Sequence, residues 1–236
     1  MSSRGAVFLG GGGSADDEAA LWDEFANEGQ RILYWPMALP IREHAVAETW
    51  LRNSLAPRGS FDLVMWSSLS GHKAEELPAF DLLFIGGGNT YELLDEVQRH
   101  QFLEPVRRFL ANGGALYGGS AGAVLAGADI CTAEPFDSND VGIKDTSALN
   151  LLSGASLLPH YEPSHAEWLR RYVATTSATV IAIPERCGVA VHDGLARNVG
   201  PEPVVIFGPD DHHLVHAGES WTLSTPLRSS DDLNRG

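Results

Sequence analysis

Residues 116–127 read LYGGSAGAVLAG, and this segment strongly limits how the chain can fold. Three glycines and two alanines surround Ser120, and the segment fits the pattern G-x-S-x-G. Such small residues are needed where a strand reverses sharply into a helix, because bulky side chains would clash in the turn. The turn lies at the carboxyl end of its strand, which is the end of the sheet where open α/β folds bind ligands. The segment therefore predicts a strand–turn–helix unit with an exposed serine.

Short apolar runs alternate with amphipathic segments through the first half of the chain, which predicts an α/β fold with a mostly parallel sheet and helices on both faces. The predicted strands are 6–9, 32–35, 61–66, 82–85 and 115–117. The predicted helices are 15–28, capped by Ser14, then 41–55, 91–100, 102–110 and 122–126. A long connection over 132–150 is followed by a predicted helix at 167–175 and a strand at 179–183. Apolar runs at 189–192, 204–207 and 221–223 suggest later strands, which could form an antiparallel meander at one edge.

Composition limits the classes of protein to consider. With 236 residues, 44% of them hydrophobic, the chain can form one large domain, so we expect a single domain over 1–236 with a loose tail at 229–236. Cys131 and Cys187 imply free thiols rather than a disulfide framework, and we expect a cytoplasmic protein. The net charge of −15 without a basic cluster argues against nucleic acid as a partner, and the N-terminal apolar run is too short to suggest a membrane partner.

Two further segments accompany the serine turn. Residues 84–94 read FIGGGNTYELL, where Asn89 and Glu92 form a start like that of a capping box, and residues 157–164 read LLPHYEPS. Together the three segments resemble peptidase family S51, which contains aspartyl dipeptidase (peptidase E) and cyanophycinase. The resemblance spans roughly residues 5–195. It implies a class I glutamine amidotransferase-like α/β fold, with a serine in place of the usual cysteine.

The resemblance implies a catalytic triad. It assigns Ser120 as the nucleophile and His160 as the general base, because a hydroxyl needs a neighbouring base to become a good nucleophile. A carboxylate must then fix the imidazole tautomer. Where the resemblance places that acid, this chain has Pro135, so we assign Glu134, one residue earlier, with Asp137 as the second choice and Asp140 close by.

The oxyanion of the tetrahedral intermediate needs backbone donors, which the resemblance places at Gly88 and Ala121. It also implies substrates with an N-terminal aspartate, whose carboxylate would be bound by arginine. The candidate substrate-binding residues are Asn89, Glu162, Arg170, Arg171 and Arg186. Among them, Glu162 could bind a free α-amino group.

We therefore expect a serine peptidase that hydrolyses small peptides, in particular dipeptides with N-terminal Asp, without a cofactor or a metal ion. A homodimer is left open. The alternatives are a cyanophycinase-like enzyme, another acyl hydrolase such as an esterase, and an inactive binding homologue. Residues 10–15 also fit a dinucleotide-binding fingerprint, although the acidic residue expected after the second strand is missing. A metal site at His212, His213 and His216 is a further, weaker alternative.

Overall fold

Two β-sheets and their surrounding helices form the fold of this computed structural model, which describes residues 5–209 and 211–223. The strands are β1 Val7–Gly10, β2 Arg31–Trp35, β3 Asp62–Met65, β4 Leu82–Ile85, β5 Ala115–Gly119, β6 Ala155–Leu158, β7 Thr179–Ala182, β8 Gly188–His192, β9 Leu195–Val199, β10 Val204–Phe207, β11 His212–Val215 and β12 Ser220–Thr222. The α-helices are α1 Ala19–Ala26, α2 His44–Leu55, α3 Thr90–Arg99, α4 Leu103–Ala111, α5 Ala121–Ala126 and α6 Ala166–Thr176.

The larger sheet has eight strands in the order β12-β9-β8-β1-β5-β4-β2-β3. The five strands from β1 to β3 in this order are parallel, and β8, β9 and β12 extend the sheet with antiparallel pairings. The smaller sheet has the order β11-β10-β7-β6, in which β6 and β7 are parallel. The expected α/β architecture, with a mostly parallel central sheet, is confirmed.

Side chains of the parallel strands alternate between two apolar layers, as the pleat of a strand requires. Phe8, Tyr34, Phe84 and Tyr117 pack with residues of α1 and α2 on one face. On the other face, the residues next to them along the strands pack with α3, α4 and α5. The sheet is therefore covered on both sides, and its strands can be apolar throughout.

The second half of the chain differs from the expected single meander. Its strands divide between the two sheets: β8, β9 and β12 join the larger sheet, and β7, β10 and β11 lie in the smaller one. Strand β9 was not predicted because Arg197 and Asn198 interrupt its apolar pattern. The turn before it was readable, however, since Asp193 and Gly194 both have positive φ (49° and 79°) and Asp-Gly is a strong hairpin signal.

The first helix also differs from its prediction. Ser14 and Asp17 make the reciprocal contacts of a cap, with the Asp17 N–H donating to the Ser14 hydroxyl at 3.2 Å and the Ser14 N–H to Asp17 Oδ2 at 3.1 Å. Residues 15–18 nevertheless form turns, and α1 begins only at Ala19. The predicted tail, 229–236, lies outside the described residues. Within the described ranges, no helix combines the length and apolar composition needed to cross a membrane.

Candidate active site

The predicted strand–turn–helix unit around Ser120 is present. Strand β5 ends at Gly119, helix α5 begins at Ala121, and Ser120 between them has φ 50° and ψ −112°, an unusual backbone conformation for a non-glycine residue. A Cβ atom added at Gly118 would lie 2.4 Å from the carbonyl oxygen of Gly122, and one added at Gly122 would lie 2.3 Å from that of Ile85. The small residues are therefore required by the close approach of α5 to β5 and β4.

His160 lies against this serine. Its Nε2 is 3.0 Å from the Ser120 Oγ, which is hydrogen-bond distance. His160 follows the end of β6 at Leu158 by two residues, and its backbone N–H donates to the carbonyl oxygen of Gly11 at 2.7 Å. The structure thus brings together the two residues that the family resemblance assigned as nucleophile and base.

The carboxylate beside His160 belongs to Glu185, not to Glu134. Glu185 Oε1 lies 2.8 Å from His160 Nδ1. Glu134 is exposed at the end of a short 3-10 turn, and Asp137 instead accepts the backbone N–H of Thr90 at 2.8 Å. Asp140 accepts the hydroxyl of Ser138. The expectation that Glu134 partners His160 is therefore corrected.

The order of the predicted elements contains a signal for Glu185. His160 follows β6, and Glu185 follows β7, the next strand along the chain. These strands are parallel neighbours, with Leu158 opposite Ala182, so the residues after them emerge at the same edge of the sheet. The candidate predicted from this segment was Arg186, the residue after Glu185.

Ser120 opens onto a cavity of about 260 Å³. Gly88, Ala121, His160 and Asp137 are among the residues that line it. Because α5 begins at Ala121, the first N–H groups of this helix have no acceptor within the helix. Gly88 and Ala121, the two residues expected to form the oxyanion hole, thus border the same cavity as Ser120.

The other expected substrate-binding residues lie elsewhere. The Asn89 side chain caps α3 by accepting the Glu92 N–H at 3.0 Å and donates to the carbonyl oxygen of Ser138. Glu162 is exposed and caps the 3-10 turn Pro163–His165.

The three candidate arginines are exposed. Arg171 pairs with Glu167 at 2.8 Å, and the Arg186 Nε lies 3.9 Å from a carboxylate oxygen of Asp17. Burial raises the pKa of the Tyr161 phenol, and the charge of Arg170 on α6 opposes that rise. No arginine is among the described residues that line the cavity.

A glycine-rich loop lies against the imidazole of His160. The loop is held by Glu18, a carboxylate that is only 2% exposed. Its Oε1 accepts the N–H groups of Gly12 and Gly13 at 2.9 and 3.0 Å, and its Oε2 accepts the Tyr117 hydroxyl at 2.5 Å. The Tyr117 oxygen in turn accepts the Trp22 indole N–H at 3.1 Å. Burial raises the pKa of Glu18, and these hydrogen bonds oppose that rise.

The contacts between Glu18 and the glycine-rich loop exclude the dinucleotide-binding alternative. A dinucleotide-binding loop must offer its N–H groups to a pyrophosphate, but those of Gly12 and Gly13 already donate to Glu18, so the fingerprint at 10–15 does not form such a site.

At the proposed histidine metal site, the His212 ring stacks on Phe207. Nowhere in the ranges 5–209 and 211–223 do three His, Cys, Asp or Glu side chains group as a metal site would require.

We expect Gly12→Ala to lower kcat about 100-fold, since displacing a catalytic group by about 1 Å can cost that much. An added Cβ would lie 2.2 Å from His160 Cε1, and Gly12 also has φ 101°. Gly113→Ala is the matched control, because Gly113 has φ 96° but nothing within 4 Å of the added atom. Both variants should lose about 1–3 kcal/mol of unfolding free energy through backbone strain. Equal kcat values for the two variants would contradict a role of the loop in placing His160.

The chain is similar in sequence to a known peptidase family and to several of its members. The model of peptidase family S51 matches residues 7–199. A peptidase E from Actinobacillus pleuropneumoniae serotype 5b (strain L20) is 26% identical over 193 residues, which cover 76% of this chain and 79% of that protein. A peptidase E from Pasteurella multocida (strain Pm70) is 32% identical over 159 residues, which cover 59% of this chain and 64% of that protein.

Solved structures share the fold. A crystal structure of a candidate peptidase E from Listeria monocytogenes EGD-e superposes with a TM-score of 0.68 at 24% identity, covering 83% of this chain and 98% of that one. A crystal structure of a peptidase from an acI-B1 Actinobacterium superposes with a TM-score of 0.70 at 18% identity, covering 94% of this chain and 98% of that one. At these identities the superpositions bear on the fold alone. The family model, however, matches most of the sequence and includes the serine turn, and on that ground the chain belongs to peptidase family S51.

Proposed function

We propose that this peptidase cleaves small peptides through an acyl-enzyme on Ser120, with His160 as general base and Glu185 as the orienting carboxylate. One observation carries the proposal: Ser120 Oγ, the His160 ring and Glu185 form a continuous hydrogen-bonded series with distances of 3.0 and 2.8 Å. When Nδ1 donates its proton to Glu185, Nε2 is the nitrogen left to accept the serine proton.

The steps follow from this geometry. Nε2 takes the Ser120 proton as Oγ attacks the scissile carbonyl carbon, and the carbonyl oxygen becomes an oxyanion. In this mechanism the backbone N–H groups of Gly88 and Ala121 donate to that oxyanion, and one such donor is typically worth about 3 kcal/mol in the transition state. The imidazolium then protonates the departing amine as the C–N bond breaks. A water molecule, deprotonated by the same imidazole, releases the acid product and restores Ser120.

The dimensions of the cavity favour small substrates. Its volume of about 260 Å³ is slightly below the usual range for small-molecule sites. The loop that follows α5 contributes Ala133 and Phe136 to its wall. A cavity of this size accommodates the ends of a short peptide, whereas the surface loop of a folded protein would need a wider cleft.

The preference for N-terminal Asp, which the family resemblance implies, has less support. A carboxylate side chain would need a cation close to the reacting atoms. The three candidate arginines are exposed, and none borders the cavity in the described part of the chain. A cyanophycinase-like activity would require several acceptors for arginine, but Asp137 is the one carboxylate among the described residues that line the cavity. Our proposal therefore covers small peptides without an aspartate requirement.

A fluorophosphonate probe tests the proposal when combined with a dipeptide panel. We expect the probe to label the purified protein at Ser120, located by mass spectrometry of the digested adduct, and we expect at least one dipeptide to be hydrolysed. Labelling that blocks this hydrolysis would link both properties to the same hydroxyl. An unlabelled Ser120 would contradict the proposal, and so would labelling without hydrolysis of any peptide while a simple ester is cleaved.

Two further properties stay predictions. The homodimer that the sequence left open can be tested by size-exclusion chromatography with light scattering, since one chain has a mass of 25.4 kDa. A cytoplasmic location is expected from the two cysteines, whose thiols are free in the structure. Subcellular fractionation of the source cells would test it.

A further inference from the structure

A second cavity adjoins Ser120, on the side of the sheet covered by α1 and α2. Its volume is about 510 Å³, and Ser120 is the residue that it shares with the first cavity. Backbone of the glycine segments at 12–13, 86–87 and 119 forms its inner rim. Its larger side chains are those of Tyr34, Leu39, Val46, Trp50, Phe84 and Tyr117. The triad does not use this cavity, which is nevertheless continuous with the reacting hydroxyl.

The floor of the second cavity is a fixed aromatic layer. The rings of Phe84 and Tyr117 stack with centroids 4.5 Å apart, and Trp22 packs edge-on against both at 5.3 Å. The Tyr117 hydroxyl is held by Glu18 and Trp22, so this ring cannot turn without breaking buried hydrogen bonds. A floor of this kind is already formed before any ligand arrives, which lowers the entropic cost of binding.

The outer wall of the cavity is apolar and open to water. Val46 and Trp50 on α2 remain 72% and 44% exposed although both line the cavity. Apolar surface grouped at the mouth of a pocket favours an apolar ligand, because binding removes that surface from water.

The charge on the lining of the second cavity disfavours acidic side chains. Among the described lining residues Glu43 is the one that carries a charge, and neither lysine nor arginine is present. A carboxylate side chain entering this cavity would lose water without gaining a cation and would approach Glu43. An uncharged apolar side chain meets neither cost.

We propose that the second cavity binds the aromatic or large aliphatic side chain of a residue that flanks the scissile bond. The proposal rests on the peptidase function of Ser120, since it is the shared serine that places the cavity next to the reacting carbonyl. The side chain can come from the acyl residue or from the leaving residue, and the chemistry of recognition is the same for both. This is a different preference from the N-terminal aspartate that the resemblance implies.

Binding to the full-length Ser120→Ala variant tests the proposal without relying on turnover. Isothermal titration calorimetry would compare Phe-Ala with Asp-Ala and, separately, Ala-Phe with Ala-Asp, which distinguishes the acyl from the leaving position. Burial of the phenyl ring should make Kd for the Phe peptide about 10- to 100-fold lower than for its Asp partner in one of the two pairs. Tighter binding of the Asp peptide in both pairs, or no measurable binding of any peptide, would overturn the proposal.

A charge placed on the wall gives the second arm. Val46→Lys, added to the same background, should weaken binding of the preferred Phe peptide and strengthen that of its Asp partner, reversing their order. The control is Leu214→Lys, at an exposed apolar residue on β11 that does not border the cavity, and it should leave the order unchanged. An unchanged order in Val46→Lys would also overturn the proposal. Peptide binding without hydrolysis by the wild type would refute the proposed function and, with it, the position of the bound side chain beside a scissile bond, whereas hydrolysis without a preference for the Phe peptides would refute the cavity assignment alone.

Discussion

Replacing Ser120 with Ala should lower kcat by about six orders of magnitude, the size of effect known for loss of the nucleophile in a triad enzyme. The variant lacks the oxygen that attacks the carbonyl, and His160 then has no hydroxyl to deprotonate. Alanine retains the Cβ atom, so the strained backbone at φ 50° is no worse than in the wild type. The expected result is therefore loss of turnover without loss of folding, measured as kcat on the best dipeptide of the panel and as Tm.

A matched serine serves as control for this variant. Ser164 is exposed and lies four residues after His160, so Ser164→Ala should keep kcat within about twofold of the wild-type value, as is usual for surface substitutions. If Ser120→Ala kept kcat within tenfold of the wild type, another residue would have to be the nucleophile. Loss of both folding and turnover would be revealed by the Tm measurement.

The second large effect is expected at Glu185. Changing it to Gln should lower kcat about 10⁴-fold, because a neutral amide neither stabilises the imidazolium nor favours the tautomer with the proton on Nδ1. The Glu185 side chain is 62% exposed, so its loss should change the free energy of unfolding little. The measurements are kcat for the same dipeptide and thermal unfolding.

Glu134→Gln is the control that decides between the two carboxylates. Glu134 is exposed at the end of its 3-10 turn, so this variant should keep kcat within about twofold of the wild type. A large loss in Glu134→Gln with little change in Glu185→Gln would assign the orienting role to Glu134, as the sequence predicted. Comparable losses in both would mean that neither carboxylate acts alone.

The nucleophile turn could be read from the sequence because its cause is local. Strand β5, the turn and α5 are contiguous, and the glycines that allow close packing lie within a few residues of Ser120. The start of α3 was readable for the same reason, since Asn89 caps it through the N–H of Glu92. Signals of this kind depend on sequence spacing alone.

The acid partner depends on a contact that no local pattern encodes. Glu185 meets His160 only because β6 and β7 pair in parallel with Leu158 opposite Ala182. The resemblance instead directed attention to the loop after α5. The cavity beside Tyr34, Trp50 and Tyr117 was likewise beyond sequence reasoning, since residues far apart along the chain line it.

One consequence follows from the buried carboxylate of Glu18. A series of contacts leads from the Trp22 indole through Tyr117 and Glu18 to Gly12, and Gly12 lies against the imidazole of His160. Reshaping how the first helix sits on the sheet would therefore shift the base, although that helix lies outside the reaction centre. Protein engineers who vary this scaffold should therefore redesign α1 and the glycine-rich loop at Gly12 and Gly13 together.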